Sequence, residues 1–134
     1  WPLLRYADVL LMYAEALNEL NPTPTDEAID CINQIRRRAF AVTDTSHDLT
    51  PAEIIDQQTF REVIALERRL ELCFEGHRWF DLVRTGEYMK VMNAHFERYN
   101  AGAYVVENYN DLFPIPQREI DVNPNLLPNN PGYN

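Results

Sequence analysis

The sequence predicts an all-α fold: a helical hairpin, further packed helices, and an extended proline-rich C-terminal strap. Three observations predict it. Apolar residues recur every three or four positions over most of residues 3–99. Helix-capping signals precede several of these stretches. Five of the nine prolines fall after Leu112, where regular helix is forbidden but apolar residues persist.

The first helix is expected over residues 3–20. Leu3, Ala7, Leu10, Leu11, Ala14 and Leu17 form its stripe, with Tyr6 and Tyr13 beside them. Asn21-Pro22 stops it. Thr23 is positioned to cap a second helix, with Pro24 at its first position and Asp26 in its first turn. Ala28, Ile29, Ile32, Ile35 and Ala39 make the second stripe. So short a connection makes the two helices an antiparallel αα-hairpin over residues 1–41. With small Ala16 near the crossing, this hairpin resembles one tetratricopeptide unit. Such a unit needs stacked neighbours.

Residues 42–50 are polar and turn-like. Thr50-Pro51-Ala52-Glu53 is a capping box that opens a short helix to about Gln57. Thr59-Phe60-Arg61-Glu62 reads as a second box, opening a stronger helix to Phe74 or Glu75, with Gly76 as its C-terminal cap. Helical patterns follow over His77–Thr85, ending at Gly86, and over Tyr88–Tyr99. They complete a helical region spanning 50–99. Residues 100–134 form a loop and the strap. Gly102–Tyr109 suits a short strand or ordered loop, and Gln117–Asp121 a single helical turn. Leu112, Phe113, Ile115, Ile120, Val122, Leu126, Leu127 and Tyr133 make the strap too apolar for a disordered tail. The whole chain, 1–134, is expected to be one domain.

A net charge of −9, from 12 basic and 21 acidic residues, repels phosphate backbones and argues against nucleic acid as a partner. The run Arg36-Arg37-Arg38 reads as a solvated helix face. Lys90 is the one lysine among twelve cations, a bias toward planar bidentate pairing with carboxylates. No apolar run approaches the roughly 18 residues of a membrane span. Trp1 is followed by no signal-peptide pattern, so the chain reads as a piece of something longer. Cys31 and Cys73 match no zinc or redox spacing and read as buried free thiols, although a bridge between them stays open.

The densest charge pattern runs from Glu67 to Arg84. Glu67, Glu71 and Glu75 would share one helix face, and three like charges there are tolerable only with interleaved arginines. Arg5, Arg68, Arg78 and Arg84 are the candidates, with Asp81 further along. This reads as a structural ion-pair network. The competing reading is a carboxylate pair for glycoside hydrolysis through Glu71 or Glu75. His47, His77 and His95 lack metal-ligand spacing, and His77 could bond Asp81 one turn on. No nucleophile elbow, phosphate loop or dinucleotide fingerprint occurs, so no cofactor is expected. One stretch suits a ligand. Between Tyr99 and Asn110, tyrosines alternate with asparagines, and ring faces with amides suit a sugar. Tyr99, Tyr104, Asn108 and Tyr109 are the candidates.

Four blocks in order then resemble one family. They are Leu4-Arg5-Tyr6-Ala7-Asp8-Val9-Leu10-Leu11-Met12-Tyr13-Ala14-Glu15-Ala16; Glu67-Arg68-Arg69-Leu70-Glu71-Leu72; Phe74-Glu75-Gly76-His77-Arg78-Trp79-Phe80-Asp81-Leu82; and Leu112-Phe113-Pro114-Ile115-Pro116-Gln117-Arg118-Glu119-Ile120-Asp121, with Asn123-Pro124-Asn125-Leu126 and Asn130-Pro131-Gly132-Tyr133 after it. Together they resemble the C-terminal region of the SusD/RagB family. The resemblance implies a mostly helical, tetratricopeptide-like outer-membrane lipoprotein on the cell surface. It implies non-catalytic binding of glycans or other nutrients, passed to a SusC-like TonB-dependent transporter. The family's lipid-bearing cysteine lies near the start of the full protein and matches neither Cys31 nor Cys73. Its sugar contacts lie largely outside this region, so none is carried over. The rival reading is a tetratricopeptide-like protein-interaction module.

Overall fold

The computed structural model describes residues 4–41, 43–99, 102 and 104–133. Every regular element among them is helical, and the chain divides into two compact units, residues 1–78 and 79–134.

The first unit holds α1 (Tyr6–Leu20), α2 (Asp26–Phe40), a 3-10 turn at Pro51–Glu53, and α3 (Gln57–Glu71). α1 packs against both α2 and α3. Leu11, Ala14, Ala28, Ile32 and Phe60 lose all solvent exposure between these helices. Burying Leu11, Ile32 and Phe60 contributes about 1.5–3 kcal/mol each. Ala14 and Ala28 are small residues with no exposure, one on each helix of the hairpin. Ala16 is exposed, because Leu11, Ala14 and Asn18 (three and four apart) define the inner face of α1 and Ala16 falls off it. Ala39 is exposed too, one residue from the end of α2.

Local chemistry places the helix ends differently from the sequence reading. Thr25, not Thr23, caps α2: its hydroxyl oxygen accepts from the Ala28 amide at 3.2 Å. Pro24 therefore precedes the cap. Asp56, not Thr59, caps α3, and the Thr59 amide donates to the Asp56 carboxylate at 2.7 Å. An ionised oxygen outcompetes a hydroxyl for an orphan amide. The Thr50–Glu53 capping box forms, but around a single 3-10 turn. α3 stops at Glu71, before Phe74. Phe74 takes φ +65° and Gly76 φ +85°, so the chain leaves the helix through two left-handed residues. Cys31 is buried; Cys73, in that turn, is exposed, and both are free thiols. The helical spacing that implied burial of Cys73 ends two residues before it.

The second unit holds α4 (Arg78–Arg84), α5 (Tyr88–Arg98), a 3-10 turn at Asn108–Asp111, α6 (Gln117–Val122) and a 3-10 turn at Pro124–Leu126. α4 opens on the last residue of the first unit. Gly86, at φ +73°, separates α4 from α5. Trp79 meets Tyr88 edge-on, with ring centroids 5.9 Å apart. The proline-rich segment runs extended between short helical turns and doubles back, with Asn130 Nδ2 donating to the Phe113 carbonyl at 2.6 Å. Ile120 is buried, whereas Phe113 and Val122 are exposed.

With no strand among the described residues, extended segments need other partners for their backbone groups. Three asparagines supply them. Asn33 accepts from the Leu49 amide at 2.6 Å and donates to its carbonyl at 3.0 Å. Asn93 does the same for Val106, at 2.8 and 3.0 Å. Asn129 does it for Ile115, at 2.8 and 3.3 Å. Each amide side chain imitates one rung of a ladder.

Candidate functional site

The first candidate is the charge cluster where α3 ends. Arg5 precedes α1, and its guanidinium reaches across to both sides of the turn. Nη1 donates to Glu71 Oε1 at 2.9 Å, and Nη2 to the Glu71 carbonyl at 3.0 Å. Nε and Nη2 grip Glu75 in a bidentate pair at 2.8 and 2.6 Å. Arg38 of α2 donates to the other Glu71 oxygen at 2.6 Å. Arg36 reaches Glu67 at 3.1 Å. Arg68 donates to Asp8 at 2.8 Å, with both side chains under a tenth exposed.

Of the sequence candidates, the structure therefore gathers Arg5, Glu67, Arg68, Glu71 and Glu75 into a band joining α1, α2 and α3. Glu75 takes part although it lies beyond the helix. Asp81 and Arg84 pair with each other at 3.0 Å on α4 in the second unit. Arg78 opens that helix. Sequence reasoning missed Asp8, Arg36 and Arg38. The basic run is a solvated face only in part: Arg36 and Arg37 are half-buried against Glu67 and Asp48, while Arg38 is exposed and bonds Glu71. No spacing rule could have found these partners, because each pairing joins different elements.

The electrostatics suit cross-linking. The Arg5 hydrogen bonds hold the Glu75 carboxyl below its usual range and push the Arg5 guanidinium further up. A general acid requires the opposite shift, a carboxyl raised by burial or by a like charge.

The second candidate is the tyrosine-bearing segment of the second unit. Tyr99 and Tyr104 expose 66% and 67% of their surface. Tyr99 leans on His95, ring centroids 4.7 Å apart; Tyr104 leans on Phe96 at 5.8 Å. His95 and Phe96 are edge to face at 6.1 Å, which joins the four rings into one strip at the C-terminal end of α5. Tyr109 is separate: it packs edge-on against Tyr133 at 5.3 Å. Asn108 is exposed, and its carbonyl accepts from Tyr88 Oη at 2.7 Å. Desolvation pushes the Tyr88 phenol up. Asn100, Ala101 and Ala103 lie outside the described residues.

Among the described residues no three His, Cys, Asp or Glu side chains are grouped to hold a metal ion. No helix among them is long and apolar enough to cross a membrane.

An all-α protein built on a helical hairpin, with arginine–glutamate ties between its helices, is the class that fold and site define. The SusD family model matches residues 1–133, and the chain belongs to that family. A SusD-like protein of Formosa agariphila is 39% identical over 132 residues, covering 97% of this chain and 25% of that protein. A second from the same organism is 42% identical over 132 residues, covering 96% of this chain and 24% of the relative. The crystal structure of a SusD homolog from Bacteroides thetaiotaomicron superposes with a TM-score of 0.85 at 41% identity, covering 99% of this chain and 27% of that one. The chain thus spans about a quarter of the length of the curated relatives it matches.

Proposed function

We propose that this chain is part of a non-catalytic nutrient-binding protein of the outer-membrane surface, directed chiefly at glycans. In this reading the whole protein captures its ligand and passes it to a SusC-like TonB-dependent transporter. A lipid outside this chain anchors it. Membership of the SusD family over nearly the whole chain is the observation that carries the reading.

Two features of the structure support it. The carboxylates that would have to do acid–base chemistry are occupied by arginine, and the Glu75 shift runs against a general acid. The exposed faces of Tyr99 and Tyr104, on a strip backed by His95 and Phe96, suit stacking on the apolar face of a sugar. Asn108, beside them in sequence, supplies an exposed amide for hydroxyls, and Tyr109 holds the segment in place.

Calorimetric titration of the full-length protein with oligosaccharides of different linkage tests the reading. Binding without turnover is the expected result, at least tenfold weaker in Tyr99→Ala and Tyr104→Ala. Hydrolysis that is lost in a folded Glu71→Gln protein would overturn it.

A further inference from the structure

The turn after α3 carries a feature that neither packing nor ligand capture within this chain accounts for. Phe74 sits at φ +65°, a region that glycine enters freely and a bulky L-residue enters only at a cost. It is also 96% exposed, so the ring gains nothing from burial in exchange. The posture is imposed from both sides. On one side the Leu72 amide donates to the Arg68 carbonyl at 3.0 Å, and the Glu75 amide to the Leu72 carbonyl at 3.2 Å. On the other, Arg5 grips Glu71 and Glu75 at once, with Phe74 between them in the chain. Leu66 and Leu70, one turn apart on α3, are 52% and 63% exposed and lead up to the same turn. A rigidly held aromatic at the end of an apolar row has the anatomy of an anchor that fills a pocket.

We propose that Phe74, with Leu66 and Leu70, is a packing knob seated in the remainder of the full-length polypeptide, the part of a SusD-family protein outside this quarter. The lengths of the relatives support that occupant, since roughly three times as much chain accompanies this segment in them. The acidic balance of this chain, −9, disfavours an anionic lipid surface as the occupant.

Cys73, the exposed neighbour of Phe74, is a built-in reporter, and buried Cys31 is its control. Native full-length protein is treated with N-ethylmaleimide and the modified peptides are mapped. The expected result is that Cys73 reacts at least 20-fold more slowly than in urea, and that Phe74→Ala restores its reactivity at least tenfold while Cys31 stays protected. Phe74→Gly supplies a test by sign. Glycine relieves the left-handed backbone, so it raises or preserves Tm if the ring is idle and lowers Tm if the ring fills a pocket. A lowered Tm is expected. Cys73 reacting as fast as in urea, or a Tm preserved in Phe74→Gly, overturns the proposal. So does protection that vanishes on dilution, which would assign the knob to a second copy. Protection that requires the transporter overturns it as well.

Discussion

Asp8 of α1 and Arg68 of α3, sixty residues apart in sequence, form an ion pair at 2.8 Å with side chains 8% and 7% exposed. Placed this deep, the pair cannot lose one member cheaply. Asp8→Ala removes one charge-assisted bond from a buried guanidinium and should destabilise the protein by about 1.5–3 kcal/mol. The double replacement Asp8→Leu with Arg68→Met removes both charges and should cost less than either single change. Urea denaturation of the four proteins in a double-mutant cycle measures the difference.

Arg5 and Glu75 make stability depend on acid. Arg5 holds the folded-state pKa of Glu75 below its ordinary value of 4.5. The folded state therefore favours the carboxylate, and this contribution is complete above about pH 4.5. It is lost as pH falls through the lower folded-state value. Glu75→Gln should flatten the acid limb of a Tm-against-pH curve and leave its neutral shape unchanged. Arg5 titrates above the accessible range and adds no slope of its own.

Gly132 and Gly76 both have φ +85°, yet they should respond differently to alanine. A Cβ on Gly76 meets nothing within 4 Å, so Gly76→Ala costs only the backbone strain, about 1 kcal/mol. A Cβ on Gly132 collides with the Tyr109 ring. Gly132→Ala should release the chain end, breaking the Tyr109–Tyr133 contact. Tyr133 amide exchange, slowed by its bond to the Asn130 carbonyl, should quicken at least tenfold in Gly132→Ala and stay unchanged in Gly76→Ala.

Asn93 holds both backbone groups of Val106, two residues from the exposed ring of Tyr104. Asn93→Ala should cost about 1 kcal/mol of stability. It should also speed exchange of the Val106 amide well beyond the global change. If Tyr104 serves ligand capture, the same variant lowers affinity by loosening the ring's support. Asn93→Asp keeps the acceptor for the Val106 amide and loses the donor, so it should restore part of the protection.

Much of this was readable along the chain. The buried stripes Ala7, Leu10, Leu11, Ala14 of α1 and Ala28, Ile29, Ile32, Ile35 of α2, the Thr50–Glu53 box and the turn at Gln117 are local signals, and each is where its spacing put it. Ala39 is exposed, Leu3 lies outside the described residues, and Gly76 lies beyond the end of the helix it is expected to cap, whose C-cap is Leu72. The caps of α2 and α3 lie two and three residues from the threonines that the spacing alone suggests. Thr23 and Thr25 flank one proline, and Thr59 follows Asp56 by three. Which oxygen caps depends on where packing sets the helix start. Among the candidate site residues, the arginine bias announced bidentate pairing, but it could not name the partners.

The sequence by itself determined the helices, their buried faces and the family-like blocks. Helical periodicity arises from bonds between residues four apart, so short windows contain it. Only the tertiary structure decided that Arg5 bridges Glu71 and Glu75, that Arg36 and Arg38 reach Glu67 and Glu71, that α3 stops before Phe74, and that Tyr109 packs while Tyr99 and Tyr104 face solvent. Those outcomes depend on distances between groups up to seventy positions apart. Electrostatic and packing energies follow separation in space, and spacing along the chain does not encode it.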